Sequence, residues 1–172
     1  MNESNRSRRL VIQAGAGLAA AGAGLLVWQL KEPAAAPAVR YTLLNGQALD
    51  STAAWRGKVM LVNFWATSCT TCVKKMPMLV AAHAAYASRG FDVLAIAMQY
   101  DPPAYVSQFA ESRRLPFGVA IDNQGELARA FGDVRVTPTT IVIDKQGHIA
   151  KRLVGDIPAD ELNALLERLL TA

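Results

Sequence analysis

The sequence has few of the residues that ligate metals or form disulfides: two cysteines and two histidines in 172 residues. The cysteines, Cys69 and Cys72, stand three positions apart. A disulfide that closes so short a loop adds little stability, because the chain entropy it removes is small. The pair therefore predicts a redox site or a metal site in preference to a structural disulfide.

Further ligands for a zinc site on this cysteine pair are scarce. Structural zinc takes four ligands, and beyond the cysteines only His83 and His148 remain. His83 falls on a predicted helix and His148 follows a predicted turn, so we expect surface positions for both. The prediction is therefore no metal site, with one alternative left open, a copper chaperone that binds Cu(I) through both thiols.

Positive charge is present but is not concentrated in the folded region. The formal net charge is +4, and it falls to +2 when the residues before Pro33 are left out. The remaining lysines and arginines are scattered along the chain. The sequence thus lacks the basic stripe of a nucleic-acid-binding protein, and no nucleic-acid partner is expected.

Residues 1–38 predict a signal or membrane-anchor segment and a linker. Arg8 and Arg9 precede an uncharged stretch from Leu10 to Leu30, which as a helix is about 31 Å long and reaches across a bilayer. The arginine pair also resembles a twin-arginine export signal, and residues 36–38, Ala-Pro-Ala, offer a cleavage site. Cleaved export and a retained inner-membrane anchor both predict a domain in the periplasm or on the outer face of the inner membrane.

Residues 39–172 predict one α/β domain with a mixed central sheet and helices on both faces. Continuous apolar runs indicate buried strands, and segments of helical composition lie between them. The predicted strands are Val59–Trp65, Phe91–Met98, Phe117–Ile121 and a hairpin of Thr139–Ile143 with Ile149–Val154. The predicted helices are 69–89, Ala104–Arg114, Glu126–Phe131 and Pro158–Leu170.

Two motifs carry a resemblance to a known fold. Residues Asn63–Cys72 place the cysteine pair at a strand-to-helix turn, and residues Val136–Thr140 place Thr-Pro directly before a strand. Together they resemble the thioredoxin fold, and in particular the TlpA/ResA-like branch of membrane-anchored thiol–disulfide oxidoreductases, over about Arg40–Leu170. The resemblance implies an enzyme that exchanges protein disulfides through a mixed disulfide and needs no cofactor besides the redox-active disulfide Cys69–Cys72.

Position along the helix predicts different roles for the two cysteines. Cys69 lies at the first turn, where the macrodipole and unpaired N–H groups favour the thiolate, so it is the expected nucleophile. Cys72 lies one turn further in and is expected to resolve the mixed disulfide by attacking it. The expected substrate-binding residues around the pair are Ser68, Thr70, Thr71, Thr137 and Pro138.

The resemblance also implies two backbone features. The bond before Pro138 is expected to be cis, which would place the backbone of Thr137 beside Cys69 to pair with an extended substrate segment. Pro77 is expected to kink the active-site helix, because a proline there removes a hydrogen bond and crowds the preceding turn.

Asn63 and Lys75 are expected to tune the redox potential. Thioredoxin has a buried Asp where this chain has Asn63, and the ResA-like branch often has a Glu where it has Lys75. Neither an amide nor an ammonium accepts the proton of Cys72 as a carboxylate would. Lys75 lies one helical turn beyond Cys72, where its charge favours a nearby thiolate and hence the reduced state.

The resemblance further implies partners and a role. These are protein disulfide substrates and a membrane thiol electron donor of the DsbD/CcdA type, serving cytochrome c biogenesis or copper-site maturation. The dipeptide Thr70-Thr71 differs from the Gly-Pro of reducing thioredoxins, which leaves the direction of electron flow open. The other alternative is a peroxidase relative of the thioredoxin fold, whose Pro-X-X-X-Thr-X-X-Cys motif does not occur in residues 64–72.

Overall fold

A short hairpin and a five-stranded mixed sheet with helices on both faces make up residues 33–172, the part of the chain described by the computed structural model. The strands are β1 (Arg40–Thr42), β2 (Ala48–Asp50), β3 (Val59–Trp65), β4 (Phe91–Ala97), β5 (Gly118–Ile121), β6 (Thr139–Ile143) and β7 (Ile149–Val154). The helices are α1 (Ser51–Ala54), α2 (Thr70–Tyr86), α3 (Pro103–Ser112), α4 (Glu126–Ala130) and α5 (Ala159–Thr171), with a 3₁₀ turn at Ala87–Arg89.

Strand β3 is the centre of the large sheet, whose order is β5-β4-β3-β6-β7. It pairs parallel with β4 and antiparallel with β6, and β7 in turn pairs antiparallel with β6. All seven residues of β3 are buried, as the continuous apolar run predicts. Because β6 and β7 each reverse the direction, β7 runs parallel to β3, and the ends of β3, β4 and β7 meet at one edge of the sheet. The active-site segments lie at this edge.

The side chains of β3 alternate between two apolar cores, as the period of a strand requires. Leu61 and Trp65 belong to the core under α2, α3 and α5, whereas Val62 and Phe64 belong to the core under α4 and the β1–β2 hairpin. Asn63 is placed by the same alternation on the α2 face of β3. Helix α2 is thus held against the face that presents Asn63.

The far end of α2 is fixed against α5 by an ion pair. Arg89, in the 3₁₀ turn that follows α2, donates to both carboxylate oxygens of Glu167, at 3.0 and 2.8 Å. These hydrogen bonds hold the pKa of Glu167 below its usual value. The bidentate geometry restricts the orientation of both side chains, so the helix that carries the cysteines is anchored at the end away from them.

The predicted fold class is confirmed, and the predicted strand bounds agree with the structure to within one residue. The β1–β2 hairpin was not assigned as strands from the sequence, since its three-residue strands show no clear periodicity and only the turn at Asn45-Gly46 marks it. Pro77 lies inside α2, and the kink expected there stays a prediction.

The segment just before residue 38 contacts the folded domain. Ala36 N donates to the carbonyl of Gly147 at 2.8 Å, and Ile149 N donates to the carbonyl of Ala34 at 2.7 Å. Within residues 33–172, no helix is both long and apolar enough to span a bilayer. The predicted anchor or signal stretch up to Leu30, with its arginine pair, lies outside the described residues, and the domain boundary after Ala38 stays a prediction.

Candidate active site

Cys69 caps the N-terminus of α2, at the edge where β3 ends. Its backbone is extended, with φ −85° and ψ 99°, and its Sγ accepts a hydrogen bond from Cys72 N at 3.2 Å. A sulfur in this position receives a backbone donor that the helix leaves unpaired, together with the positive end of the macrodipole. Both favour a thiolate on Cys69 in the reduced protein, which supports its expected role as the nucleophile.

The two cysteines form a disulfide and differ in exposure. The Cα atoms of Cys69 and Cys72 are 5.2 Å apart. Cys72 is 3% exposed and belongs to the core under α2, whereas Cys69 is half-buried. Only Cys69 therefore presents its sulfur where another protein can reach it, while Cys72 faces the interior.

Residues Val136–Thr140, which contain Pro138, form the second segment of the candidate site, after the segment Asn63–Cys72. The Thr137–Pro138 bond is cis, as the resemblance implies, and Pro138 is buried. The segment is held by two hydrogen bonds, from Thr139 Oγ1 to the Val136 carbonyl at 2.7 Å and from Gly155 N to the Pro138 carbonyl at 2.8 Å. The pairing of the Thr137 backbone with a substrate stays a prediction.

Side chains of the loop after β4 contact the turn before Cys69 and the segment Val136–Thr140. Asp101 is a buried carboxylate, 3% exposed, that accepts hydrogen bonds from Thr67 N at 2.6 Å and from Thr67 Oγ1. Its neighbour Tyr100 places its hydroxyl 3.5 Å from Thr137 Oγ1. The turn that leads to Cys69 and the loop that carries Pro138 are thus joined through two adjacent side chains.

Behind Cys72 lies a small cavity with a polar side. Asn63, 5% exposed, donates from Nδ2 to Thr140 Oγ1 at 3.0 Å. Lys75 Nζ lies 2.8 Å from Asp156 Oδ1. The apolar remainder of the wall is formed by Met78, Leu79, Pro138, Gly155 and Ile157. The ammonium of Lys75 is therefore paired with a carboxylate, and the expected role of Asn63 and Lys75 in tuning the redox potential stays a prediction.

The predicted site residues separate into two groups. Cys72, Pro138, Asn63 and Lys75 line the cavity. The other predicted residues, Cys69, Ser68, Thr70, Thr71 and Thr137, are exposed or half-buried. Their contacts with a substrate stay predictions.

Two acidic residues of the site, Asp101 and Asp156, were missed from the sequence. Asp101 follows β4 and Asp156 follows β7 closely along the chain. The ends of parallel strands meet at one sheet edge, but Asp122 follows β5 in the same way, so position after a strand does not single out Asp101 and Asp156. Nothing in the local pattern distinguishes these two from the other acidic residues of the loops.

His83 and His148 are both half-buried. His83 is half-buried, with its side chain 17% exposed and Nε2 3.5 Å from Asp92 Oδ1, and not on the open surface expected of it. His148 lies near Asp144. Within the part of the chain that the structure describes, no three His, Cys, Asp or Glu side chains are grouped to hold a metal ion.

Known proteins resemble this chain in sequence and in fold. Residues 31–167 match the Redoxin family. The chain belongs to this family. This confirms the relationship expected from the two motifs. It is 35% identical over 78 residues to the thiol-disulfide oxidoreductase ResA of Geobacillus thermodenitrificans, a match that covers 45% of this chain and 44% of ResA. The chain thus spans less than half of the length of that curated relative.

Two solved structures of redox proteins resemble the fold over most of their length. One is a candidate thioredoxin of Neisseria meningitidis, 34% identical with a TM-score of 0.74, covering 80% of this chain and 91% of that one. The other is a thiol:disulfide interchange protein of the thioredoxin family from Chlorobium tepidum, 28% identical with a TM-score of 0.74, covering 81% and 97%. The predicted thioredoxin-like fold is confirmed.

Proposed function

We propose that this protein is a thiol–disulfide oxidoreductase that exchanges disulfides with other proteins through Cys69 and Cys72. The observation that carries the proposal is the pair itself, a disulfide at the N-terminus of α2 with one sulfur toward the surface and the other toward the interior. The named relatives ResA and the interchange protein of Chlorobium tepidum support the same activity.

The geometry supports a two-step exchange. In the reducing direction, the Cys69 thiolate attacks one sulfur of a substrate disulfide, the substrate S–S bond breaks, and the leaving thiolate takes a proton from water. Cys72 then loses its proton and attacks Cys69 Sγ, which forms the Cys69–Cys72 disulfide and releases the second substrate thiol. Two electrons pass from the protein to the substrate. The same steps in reverse oxidise a substrate dithiol.

The activity is tested by reduction of insulin with dithiothreitol as the electron donor. We expect the protein to accelerate insulin precipitation, and Cys69→Ser to return the rate to that of dithiothreitol alone. An unaccelerated rate with the unaltered chain would overturn the proposal. Copper titration of the reduced protein is the parallel measurement: tight 1:1 Cu(I) binding without disulfide exchange would favour the chaperone alternative.

The position of the enzyme in the cell is proposed to be the periplasm or the outer face of the inner membrane. There a membrane thiol donor of the DsbD/CcdA type would recharge the pair, in service of cytochrome c or copper-site maturation. Changing Arg8 and Arg9 to Lys tests the export route, because twin-arginine export requires the arginine pair. Undiminished delivery of the variant would indicate an ordinary anchor or secretion signal.

The first residue of the mature protein distinguishes a retained membrane anchor from a cleaved signal segment. Cleavage after Ala38 would remove the segment whose backbone bonds join Ala34 and Ala36 to the β6–β7 hairpin. Mass spectrometry of the protein recovered from cells measures the outcome directly. A mature chain that begins at residue 39 would establish cleavage, and a chain that keeps residues 10–30 would establish the anchor.

A further inference from the structure

Resolution of a mixed disulfide requires Cys72 to lose a proton, because the thiolate is the nucleophile. Cys72 is 3% exposed, so bulk water has little access to its sulfur. The proton must first pass to a group in the wall of the cavity behind it. The space open to a water centre in this cavity is about 10 Å³, about the least that holds a single water molecule.

The polar wall contains one group able to accept that proton. Asn63 and Thr140 are hydrogen-bonded to each other, and neither an amide nor a hydroxyl is basic near neutral pH. The ammonium of Lys75 has no free lone pair. Asp156 supplies the one carboxylate among the residues that line the cavity with Cys72.

Asp156 combines access to the cavity with access to solvent. Its side chain is 53% exposed, and its Oδ1 lies 2.8 Å from Lys75 Nζ. Lys75 is on α2, one turn beyond Cys72, and Asp156 comes from the segment between β7 and α5. The ion pair therefore holds the Asp156 carboxylate next to the helix that carries the thiol, and a proton received there can leave to water.

We propose that Asp156 accepts the proton of Cys72 when Cys72 attacks the mixed disulfide, and that Lys75 is a positioning residue that holds the carboxylate in place. The inference rests on the proposed exchange activity. The proton moves from Cys72 Sγ to a carboxylate oxygen, directly or through one water. The sulfur electron pair forms the Cys69–Cys72 bond, and the substrate sulfur leaves with the electrons of the broken bond.

The experiment uses the reduced full chain and an excess of the chromogenic disulfide dithiobis(nitrobenzoic acid), which releases a coloured thiolate when a thiol attacks it. Attack by Cys69 releases the first coloured thiolate at a rate that rises with reagent concentration. Resolution by Cys72 releases the second at a rate independent of that concentration, since this step is intramolecular. The first phase therefore reports on Cys69 and the second on Cys72 in the same trace.

Asp156→Asn should leave the first phase unchanged and slow the second about tenfold or more, since a positioned general base contributes about 10²–10⁴-fold. Electrostatics alone predict the opposite sign: without the carboxylate, the charge of Lys75 favours the Cys72 thiolate and would quicken the second phase. An unchanged or faster second phase in the variant would overturn the assignment.

A pH series separates a proton acceptor from a merely structural residue. The titratable groups in the cavity wall are Cys72, Lys75 and Asp156. With the acceptor ionised and the thiol protonated, the second-phase rate of the unaltered chain should vary little with pH. In Asp156→Asn the rate should rise about tenfold per pH unit over the same range, as for unassisted thiolate attack. Equal slopes for the two proteins would contradict the proposal.

Matched variants complete the test. Asp156→Glu and Lys75→Arg keep the carboxylate and the ion pair and should retain most of the second-phase rate. Asp160→Asn removes the same charge four residues further on, outside the cavity wall, and should change neither phase. If the unaltered chain shows no first phase, the proposed exchange activity fails; if both phases occur and Asp156→Asn does not slow the second, only the role of Asp156 fails.

Discussion

Cys69 and Cys72 are three residues apart on one helix, yet the structure surrounds them differently. Cys69 is half-buried beside exposed Ser68 and Thr70, and its chemistry comes from the helix terminus that it caps. Cys72 is enclosed by side chains from β3, α2, β6 and the segment after β7. The surroundings of Cys69 therefore depend on local backbone geometry, whereas those of Cys72 depend on groups brought together from distant parts of the chain.

The largest effects should come from the cysteines themselves, and they should differ in kind. Cys69→Ser is expected to abolish disulfide exchange, because no accessible thiolate remains. Cys72→Ser is expected to leave the attack intact and to trap substrates on Cys69 as mixed disulfides. Non-reducing gels and intact-mass measurement would detect these adducts. Full turnover by Cys72→Ser would remove the distinction between the two sulfurs.

Asn63→Asp should make the stability of the protein depend on pH, because it introduces a titratable group into the cavity wall beside Cys72. A carboxylate at this 5%-exposed position would have its pKa raised by desolvation above the unfolded value of about 3.9. Below the folded-state and unfolded-state pKa values of the new carboxyl, the variant should have the same free energy of unfolding as the unaltered chain. As pH rises through these two values, the free energy of unfolding of the variant should fall. The loss should be about 1.4 kcal/mol for every tenfold difference between the folded and unfolded acid dissociation constants. Urea unfolding at pH 3 and pH 7 measures this, and an equal stability deficit at both pH values would contradict it.

Asp101→Ala should lower the stability of the protein and the rate of disulfide exchange, because Asp101 holds the turn before Cys69. The substitution leaves Thr67 N and Oγ1 without the acceptor that they have now, which typically costs about 1–3 kcal/mol. Because Thr67 leads into the turn before Cys69, the exchange rate should fall as well. Asp101→Asn keeps an acceptor of the same shape and is the control. Chemical denaturation of the oxidised protein measures the loss, and a loss as large in Asp101→Asn would implicate the charge rather than the hydrogen bonds.

Lys75→Glu should produce the smallest effect, on the reduction potential. Replacing the cation disfavours the Cys72 thiolate and hence the reduced state, so the potential should fall. Partly exposed charges typically contribute ~0–1 kcal/mol, which for a two-electron couple corresponds to at most about 20 mV, and we expect a fall of roughly 10–20 mV. Lys74→Glu is the matched control, since the exposed Lys74 lies outside the cavity wall. Equilibration with glutathione gives both potentials, and equal changes in the two variants would show that only net charge matters.

The strands and the cysteine motif could be predicted from the sequence because each is encoded by neighbouring residues. Val59–Trp65 is one apolar run, and a buried central strand needs no further information. The cis bond at Pro138 was expected only through the resemblance to the thioredoxin fold. The β1–β2 hairpin escaped prediction because its short strands are stabilised by tertiary packing, such as the hydrogen bond from Trp55 Nε1 to the Tyr41 hydroxyl at 2.9 Å.

The sequence by itself determined that Cys69 stands at the start of a helix, where a cysteine acquires its properties from the adjoining backbone. Only the tertiary structure decided what surrounds Cys72. Asn63 and Thr140 are 77 residues apart along the chain, and Lys75 meets Asp156 across a similar separation. Electrostatic interactions depend on distance in space, and no local pattern indicates which of many surface carboxylates the fold will bring to a buried thiol.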